Sequence, residues 1–306
     1  MRLVKLISTL TTFSLCVLST HSSLAISQAT TMPQSISSNP ARTACKSNDD
    51  WSEPTYARHI YGNTWYVGTC AISVVLIATP QGHILIDGAT ANAATSIEMN
   101  IKSLGLRLSD IKTILVTHEH HDHIGGVAQL QKNSGAVVLT RKAAVELLQQ
   151  GKTHQLDPQF EVLEPFTPIA NVKEIADGGV LTLGGTKIHN IPMTGHTLGG
   201  SGWTWEECEN KVCKNIVFSD SISAISDKVY RFSRPDSIAN DLRASMERLS
   251  NAPCDILITG HGKQSDLLKR LDGELPLSNP QDCKNLAISG QKGLLKRLSE
   301  EAISTK

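Results

Sequence analysis

Short apolar runs recur along the chain, separated by polar and turn-forming residues. Runs of this kind, rich in Val, Ile, Leu and Thr, predict β-strands. Two of them flank the turn Pro80-Gln81-Gly82, which indicates a hairpin. The predicted strands are 66–67, 72–78, 83–88, 111–117, 136–140, 180–183, 187–191, 201–206, 215–219 and 255–259.

Other segments carry apolar residues every three or four positions and predict helices. In the first of these, Thr90 is placed to cap the start and Gly105 to end the helix. Strands followed by helices come in two successive groups, which predicts an α/β fold of two stacked sheets with helices outside, a four-layer αββα sandwich. The predicted helices are 91–104, 124–131, 141–150, 237–249 and 280–301, the last with Gly290 as a weak point.

The N-terminal segment differs from the rest. Residues 1–25 combine a basic start, an apolar run and a Ser23-Leu24-Ala25 cleavage signal, and predict a secretory signal peptide. A membrane anchor is the alternative, but its span needs about 20 apolar residues, more than this run has. Lipoprotein processing at Cys16 is a weaker alternative, because Leu15 stands where a small residue is expected. Residues 26–44 then predict a flexible leader, and 45–306 a single domain.

Composition narrows the class of protein. With 29 basic and 29 acidic residues the chain has no net charge, which argues against nucleic-acid binding. Loss of the signal peptide removes Arg2 and Lys5 and leaves a formal charge of −2 on an exported, periplasmic or secreted chain without a membrane span. It also removes Cys16. Six cysteines remain and can form three disulfides in 15 ways: Cys45, Cys70, Cys208, Cys213, Cys254 and Cys283.

The stretch 117–126, THEHHDHIGG, carries the candidate chemistry and directly follows a predicted strand. Side chains two apart on an extended segment point the same way, so His118 and His120 can converge on one metal. Asp122 and His123 lie at the turn into the next helix and can serve a second one. Imidazole and carboxylate are suitable zinc ligands, and four histidines with two acids in six residues exceed what a solvated loop requires.

Two further histidines follow predicted strands in Gly-His turns, His196 after the strand 187–191 and His261 after the strand 255–259. Such turns place an imidazole at the edge of a sheet. His121 faces away from the H-x-H pair, and its role stays open. The other histidines lack such a context and are expected to be structural or exposed: His21, His59, His83, His154 and His189.

The H-x-H-x-D-H motif with separate Gly-His turns resembles the metallo-β-lactamase superfamily, and within it the subclass B3 enzymes. The resemblance runs from about Trp51 to the C-terminal tail. It implies an αββα sandwich with the site at one edge of the two sheets. The stretches that carry it, beside the His/Asp motif, are 66–69 (YVGT), 84–88 (ILIDG), 157–160 (DPQF), 195–197 (GHT), 217–223 (VFSDSIS) and 260–261 (GH).

The resemblance also implies the ligands. His118, His120 and His196 would bind one zinc ion, and Asp122, His123 and His261 a second. Ser221 and Ser223 resemble residues that contact a zinc-bound water and the substrate carboxylate. Family disulfide patterns imply Cys254–Cys283 and Cys208–Cys213, which leaves Cys45–Cys70.

The activity that the resemblance implies is hydrolysis of a small β-lactam by metal-bound hydroxide, oriented by Asp122, in a monomeric enzyme with two zinc ions. Loops near 151–166 and 221–234 would shape the substrate pocket. A thioesterase of the glyoxalase II type or a lactonase is the first alternative, since Asp220 is available to bridge two metals there, although the Asp-Ser-Ile-Ser context favours Ser221 at that position. A catalytically silent zinc-binding module is the second, and an iron redox protein is disfavoured because His120 stands where that branch carries a carboxylate.

Overall fold

The computed structural model describes residue 45 and residues 50–304. The predicted signal peptide 1–25 and the predicted leader 26–44 lie outside the described residues. Within the described part, no helix combines the length and apolar character needed to cross a membrane.

Twelve described strands form two sheets. The first sheet has the order β1-β2-β3-β4-β5-β6-β7, antiparallel up to β4 and parallel from there on. The second has the order β12-β11-β10-β9-β8, antiparallel except for the β11–β12 pair. The strands are β1 Arg58–Tyr61, β2 Thr64–Tyr66, β3 Val75–Ile77, β4 His83–Ile86, β5 Ile111–Leu115, β6 Val137–Thr140, β7 Val172–Glu174, β8 Val180–Leu183, β9 Thr186–Pro192, β10 Ser201–Glu209, β11 Val212–Ser219 and β12 Ile256–Thr259.

Helices connect these strands. Four short 3₁₀ turns also occur, at Ala91–Ala93, Leu108–Asp110, Phe160–Val162 and Gly262–Gln264. The α-helices are α1 Ala94–Ser103, α2 His121–Ile124, α3 Val127–Ser134, α4 Lys142–Gln150, α5 Ala239–Asn251, α6 Leu267–Leu271 and α7 Asp282–Ser304.

Alternation along the strands separates the apolar core into three layers, because neighbouring side chains point to opposite faces of a sheet. In β3, Val75 and Ile77 face the second sheet, whereas Leu76 faces the helices outside. In β11, Phe218 faces the first sheet and Val217 packs towards α5 and α7. Trp203 and Trp205 of β10 fill the space between the sheets. The predicted four-layer αββα sandwich is therefore confirmed.

Local details differ from the sequence predictions in three places. Thr90 makes no side-chain cap at the start of the first helix; its Oγ1 lies 2.8 Å from Ser52 Oγ instead. The predicted helix 124–131 is divided into α2 and α3 at Gly125-Gly126. Gly290 does not weaken the C-terminal helix, since α7 runs through it without a break.

The six cysteines among the described residues lie in three pairs, Cys45–Cys70, Cys208–Cys213 and Cys254–Cys283. The first pair attaches the start of the described chain to the segment after β2. The second lies across the β10–β11 turn, where the two residues face each other in register. The third attaches the start of α7 to the segment before β12.

Candidate metal centre

Four strand ends converge at one edge of the sandwich and carry the candidate ligands. β5 leads into the 117–123 segment, β9 into the loop of His196, β11 into Asp220, and β12 into His261. Two backbone hydrogen bonds cross between the sheets at this edge, from Ser201 N to Thr117 O at 2.7 Å and from Ser73 N to Gly260 O at 2.7 Å. The candidate site is thus built where both sheets end.

Asp87 and a close glycine contact fix the 117–123 segment. Asp87 accepts hydrogen bonds from the backbone N–H of Thr117 at 2.7 Å and from its hydroxyl at 2.6 Å. A Cβ on Gly126 would lie 2.3 Å from the backbone oxygen of Gly88, so any side chain there would push the segment away. The segment therefore sits directly on the turn after β4.

The structure brings the six predicted ligand side chains together. The donor atoms of His118, His120 and His196 all lie within 4.8 Å of one another, and so do those of His118, Asp122 and His123. His261 Nε2 lies 3.3 Å from Asp122 Oδ2. His118 belongs to both clusters, so the two clusters are adjacent.

Three of the imidazoles have a carboxylate against one ring nitrogen. His118 Nδ1 lies 2.7 Å from Asp220 Oδ1, and His120 Nε2 lies 3.0 Å from Asp157 Oδ2. His123 Nδ1 lies 3.3 Å from Asp87 Oδ2. A carboxylate on one nitrogen fixes the tautomer and leaves the other nitrogen free to bind a metal. All three acids lie in stretches that carry the family resemblance, but only Asp220 was considered as a site residue, as a bridging ligand in the alternative function; Asp87 and Asp157 were not predicted.

Metal binding at this edge also fits the buried atoms that have no partner. Nε2 of His118 is buried, and no described residue offers it a hydrogen bond. Nε2 of His123 is also buried and lies 3.2 Å from Asp122 Oδ2, a carboxylate assigned to the same donor cluster. Buried polar atoms without a partner are rare in folded proteins and call for a ligand or an ion. The imidazole nitrogens of both clusters and the carboxylate of Asp122 in the second cluster are donors that suit zinc.

The protonation states of His120, His196 and Asp122 suit metal binding, whereas His123 must lose a proton before it can bind a metal. Burial lowers the pKa of His120 to about 4 and that of His196 to about 3, so both rings are neutral at pH 7, as metal ligands must be. Burial also opposes ionisation of Asp122, but the adjacent His123 and His261 outweigh it and hold its pKa well below the usual value. For His123, burial is outweighed by Asp122 and Asp87, which raise its pKa to about 10.

Asp220 and the two serines occupy different places around His118 and His196. Asp220 Oδ1 contacts His118 Nδ1 and accepts a hydrogen bond from the backbone N–H of Ser221 at 2.7 Å. Burial raises the pKa of Asp220 well above its usual range. Ser221 is buried, and Ser223 Oγ lies 3.3 Å from His196 Nδ1. Among the described residues, neither donor cluster includes Asp220.

Glu119, the residue between the first two histidines, joins two parts of the site. Its carboxylate accepts hydrogen bonds from Thr197 Oγ1 at 2.8 Å and from the backbone N–H of Gly199 at 3.0 Å. It therefore ties the 117–123 segment to the loop that carries His196. Sequence spacing gave no signal of this role, because the partners of Glu119 lie about 80 residues further along the chain.

His121 lies beside the clusters and belongs to neither of them. Its ring is 6.0 Å from the ring of Trp51, which also packs edge-on against His261 at 5.6 Å. Trp51 is 40% exposed, so it forms part of the rim of the site.

Comparison with known proteins finds similarity to metallo-β-lactamases along nearly the whole described chain. A model of the metallo-β-lactamase superfamily matches residues 67–204. The metallo-β-lactamase SMB-1, in a structure bound to 2-mercaptoethanesulfonate, is 42% identical with a TM-score of 0.80, covering 82% of this chain and 99% of that one. MEM-A1, a subclass B3 metallo-β-lactamase from a soil metagenome library, is 38% identical with a TM-score of 0.81, covering 83% and 100%. MIM-1 from Novosphingobium pentaromativorans is 41% identical with a TM-score of 0.80, covering 84% and 94%.

Curated sequences with a different activity match over shorter stretches. A hydroxyacylglutathione hydrolase of Vibrio cholerae is 30% identical over 112 residues, which are 36% of this chain and 34% of that protein. One from Rhodopseudomonas palustris is 26% identical over 160 residues, 49% of this chain and 52% of that protein. The chain thus spans between a third and about half of the length of these relatives.

Proposed function

This chain belongs to the metallo-β-lactamase superfamily, and from that membership we propose that it is a zinc-dependent β-lactamase of the subclass B3 type. It would hydrolyse the amide bond of β-lactam antibiotics. The observation that carries the proposal is the pair of adjacent donor clusters at the sheet edge, in a chain about 40% identical to β-lactamases over nearly their whole length.

We assign His118, His120 and His196 to one zinc ion, and Asp122, His123 and His261 to a second. Zinc bound by such donors supplies a water-derived nucleophile at neutral pH and polarises the carbonyl of the scissile amide. Asp220, Asp157 and Asp87 hold three of the imidazoles in the orientation that binding requires.

Asp122 is the proposed catalytic carboxylate. Its low pKa keeps it ionised at neutral pH, so it can accept a hydrogen bond from the attacking water and orient that water towards the lactam carbonyl. Ser221 and Ser223 are proposed to contact the bound water and the substrate carboxylate. Ser223 lies against His196, which favours a place beside the first zinc position.

A thioesterase of the glyoxalase II type is the second candidate, favoured by the curated hydroxyacylglutathione hydrolases. In such enzymes an aspartate of the 220 region bridges two metals. Here Asp220 Oδ1 is engaged by His118 Nδ1 and by the N–H of Ser221, whereas the buried Oδ2 has no partner among the described residues, so the contacts of Asp220 fit either role. The matches to β-lactamases extend over nearly their whole length, against a third to about half of the hydroxyacylglutathione hydrolases, and this difference favours the lactamase.

A side-by-side assay separates the candidates. The purified protein is supplied with zinc and offered a chromogenic cephalosporin, a glutathione thioester and a homoserine lactone. We expect cephalosporin hydrolysis to dominate. Thioester or lactone turnover without cephalosporin turnover would reverse the ranking, and zinc binding without turnover of any of the three would favour a catalytically silent module.

We further propose that the mature protein is exported to the periplasm or secreted after cleavage near Ala25, and that it acts as a monomer with three disulfides. The predicted signal peptide and the three cysteine pairs support export, because disulfides form in oxidising compartments. Such a location would place the enzyme between the antibiotic and its target, and it would confer resistance.

A further inference from the structure

Two loops reach the candidate site from different parts of the chain. The first, 151–171, connects α4 to β7, and the second, 220–238, connects β11 to α5. Gln159 of the first loop places its Nε2 3.5 Å from His196 Nε2. Ser223 of the second loop lies 3.3 Å from the other nitrogen of the same ring. The loops therefore flank one imidazole from two sides.

Asp227 links these loops. Its backbone N–H donates to the backbone oxygen of Pro158 at 2.8 Å, and its Oδ2 accepts from the backbone N–H of Glu161 at 3.0 Å. Its other oxygen, Oδ1, accepts from the backbone N–H groups of Val229 and Tyr230, both at 2.8 Å. One side chain thus folds its own loop into a turn and holds the other loop against it.

The second loop is itself fastened to the C-terminal helix α7. Glu301 accepts hydrogen bonds from the backbone N–H of Phe232 at 3.1 Å and of Ser233 at 2.8 Å. Arg297, one turn earlier on α7, donates to Ser226 Oγ and to the backbone oxygen of Tyr230. The second loop is therefore a fixed support, and Asp227 is its connection to the first loop.

The linkage requires an ionised Asp227 carboxylate, and the surroundings of Asp227 favour that form. Asp227 is 8% exposed, and burial by itself would raise the pKa of its carboxyl. Three backbone N–H groups outweigh that effect and hold the pKa below its usual value, so the side chain stays ionised and accepts all three hydrogen bonds. Such charge-assisted bonds are stronger than bonds between neutral groups.

We propose that Asp227 is a positioning residue that fixes the 151–171 loop against the 220–238 loop and so sets the width of the groove between them. Gln159 and Val162 from the first loop line this groove opposite Ile225 and Val229 from the second. The effect of this linkage on substrate binding rests on the proposed β-lactamase function, whereas the linkage itself does not.

Asp227→Asn separates the two halves of the linkage. The amide oxygen can still accept from Val229 and Tyr230, whereas the NH₂ group would face the N–H of Glu161, donor against donor. We expect the amide hydrogens of 157–162 to exchange at least about tenfold faster in the variant, while those of 229–230 keep their protection. We also expect KM for a cephalosporin to rise at least threefold, with kcat changed less than twofold and zinc content unchanged.

Asp236→Asn is the matched control, since this substitution removes the same charge from the same loop. Among the described residues, the Asp236 carboxylate forms its ion pair at the surface with Arg234. It should leave exchange and KM unchanged. Unchanged exchange at 157–162 in Asp227→Asn, or equal acceleration in the control, would overturn the proposal. The wild-type protein provides a second test without a variant. The Glu161 amide should be protected from hydrogen exchange, and free exchange there would also overturn the proposal.

Exchange is measured without substrate, so failure of the proposed activity is seen separately. A wild-type protein that opens no β-lactam refutes the lactamase proposal, and the exchange result still decides the linkage. A linkage that is confirmed by exchange but leaves KM unchanged would overturn the role of Asp227 in shaping the groove.

Discussion

Each of the candidate histidines offers two ring nitrogens, and at the residue scale the site depends on what each nitrogen meets. In His118, Nδ1 lies against Asp220 and the buried Nε2 has no partner among the described residues. In His123, Nδ1 lies against Asp87, and Nε2 lies 3.2 Å from Asp122 Oδ2. A carboxylate partner both orients the ring and raises its basicity towards a metal.

Asp220→Ala tests this role. Removal of the carboxylate frees the His118 ring to rotate, so we expect zinc affinity to fall about 10- to 100-fold, the usual effect of losing such a partner. Competition with a chromophoric chelator measures the affinity and the number of ions bound. Asp220→Asn, which keeps an oxygen for His118, should lose less.

The same experiment distinguishes the two candidate functions. A positioning role predicts weaker binding of two ions. Complete loss of one ion, with the other bound as before, would instead identify Asp220 as a bridging ligand of the glyoxalase II kind. Unchanged affinity in Asp220→Ala would contradict the positioning role.

The convergence of the candidate ligands could be expected from the sequence, whereas most of their carboxylate partners could not. His118 and His120 follow from local spacing, because side chains two apart on an extended segment face the same side, and Asp122 and His123 follow from their place at the turn into the next helix. The contact between His120 and Asp157 spans 37 residues and depends on how a loop returns to the site. No local pattern carries that information.

At the scale of elements, the C-terminal helix α7 contains two glycines in different packing environments, Gly290 and Gly293. A Cβ on Gly290 would meet the side chain of Ile222 at 2.9 Å and that of Met246 at 3.0 Å. A Cβ on Gly293 would meet nothing within 4 Å. Gly290 thus permits the helix to approach the 220–238 loop closely, whereas Gly293 has no such role.

The two glycines should respond in opposite ways to alanine. Gly293→Ala should stabilise the protein by about 0.5–1 kcal/mol, because alanine loses less backbone entropy in a helix interior. Gly290→Ala should bring no gain and cost about 1 kcal/mol or more, since the added methyl overpacks the contact with Ile222. Urea unfolding of both variants measures the difference, and equal effects would contradict the packing described for α7.

Element prediction from sequence was most accurate for short runs of strand-forming residues bounded by turn-forming or polar residues. The strand β8, Val180–Leu183, was predicted at its observed bounds, and β5 and β12 within two residues. The edge strands β1 and β7 were missed, because three or four residues provide too short a pattern and their pairing depends on the neighbouring strand. The weak point predicted at Gly290 was wrong, since packing against Ile222 and Met246 supports the helix there.

At the scale of the whole molecule, the candidate ligands lie on both sheets. The first sheet supplies the 117–123 segment after β5, whereas the second supplies His196 after β9 and His261 after β12. Each of the two proposed zinc ions would take ligands from both sheets and would cross-link the two halves of the sandwich in the folded state only.

Zinc should therefore stabilise the fold. A ligand that binds only the folded protein at a thousand times its Kd adds about 4 kcal/mol. We expect a chelator to lower the thermal midpoint by several degrees and added zinc to restore it, as followed by circular dichroism. His118→Ala, which removes a donor shared by both clusters, should respond much less, and a wild-type midpoint that ignores the chelator would contradict zinc binding at this site.

Hydrolysis of a penicillin, a cephalosporin and a carbapenem by protein whose zinc content is measured in the same sample tests the central claim most directly. We predict two zinc ions per chain and ring opening of β-lactams that disappears with chelation and returns with zinc. Zinc-loaded, folded protein that hydrolyses none of the three would contradict the assignment.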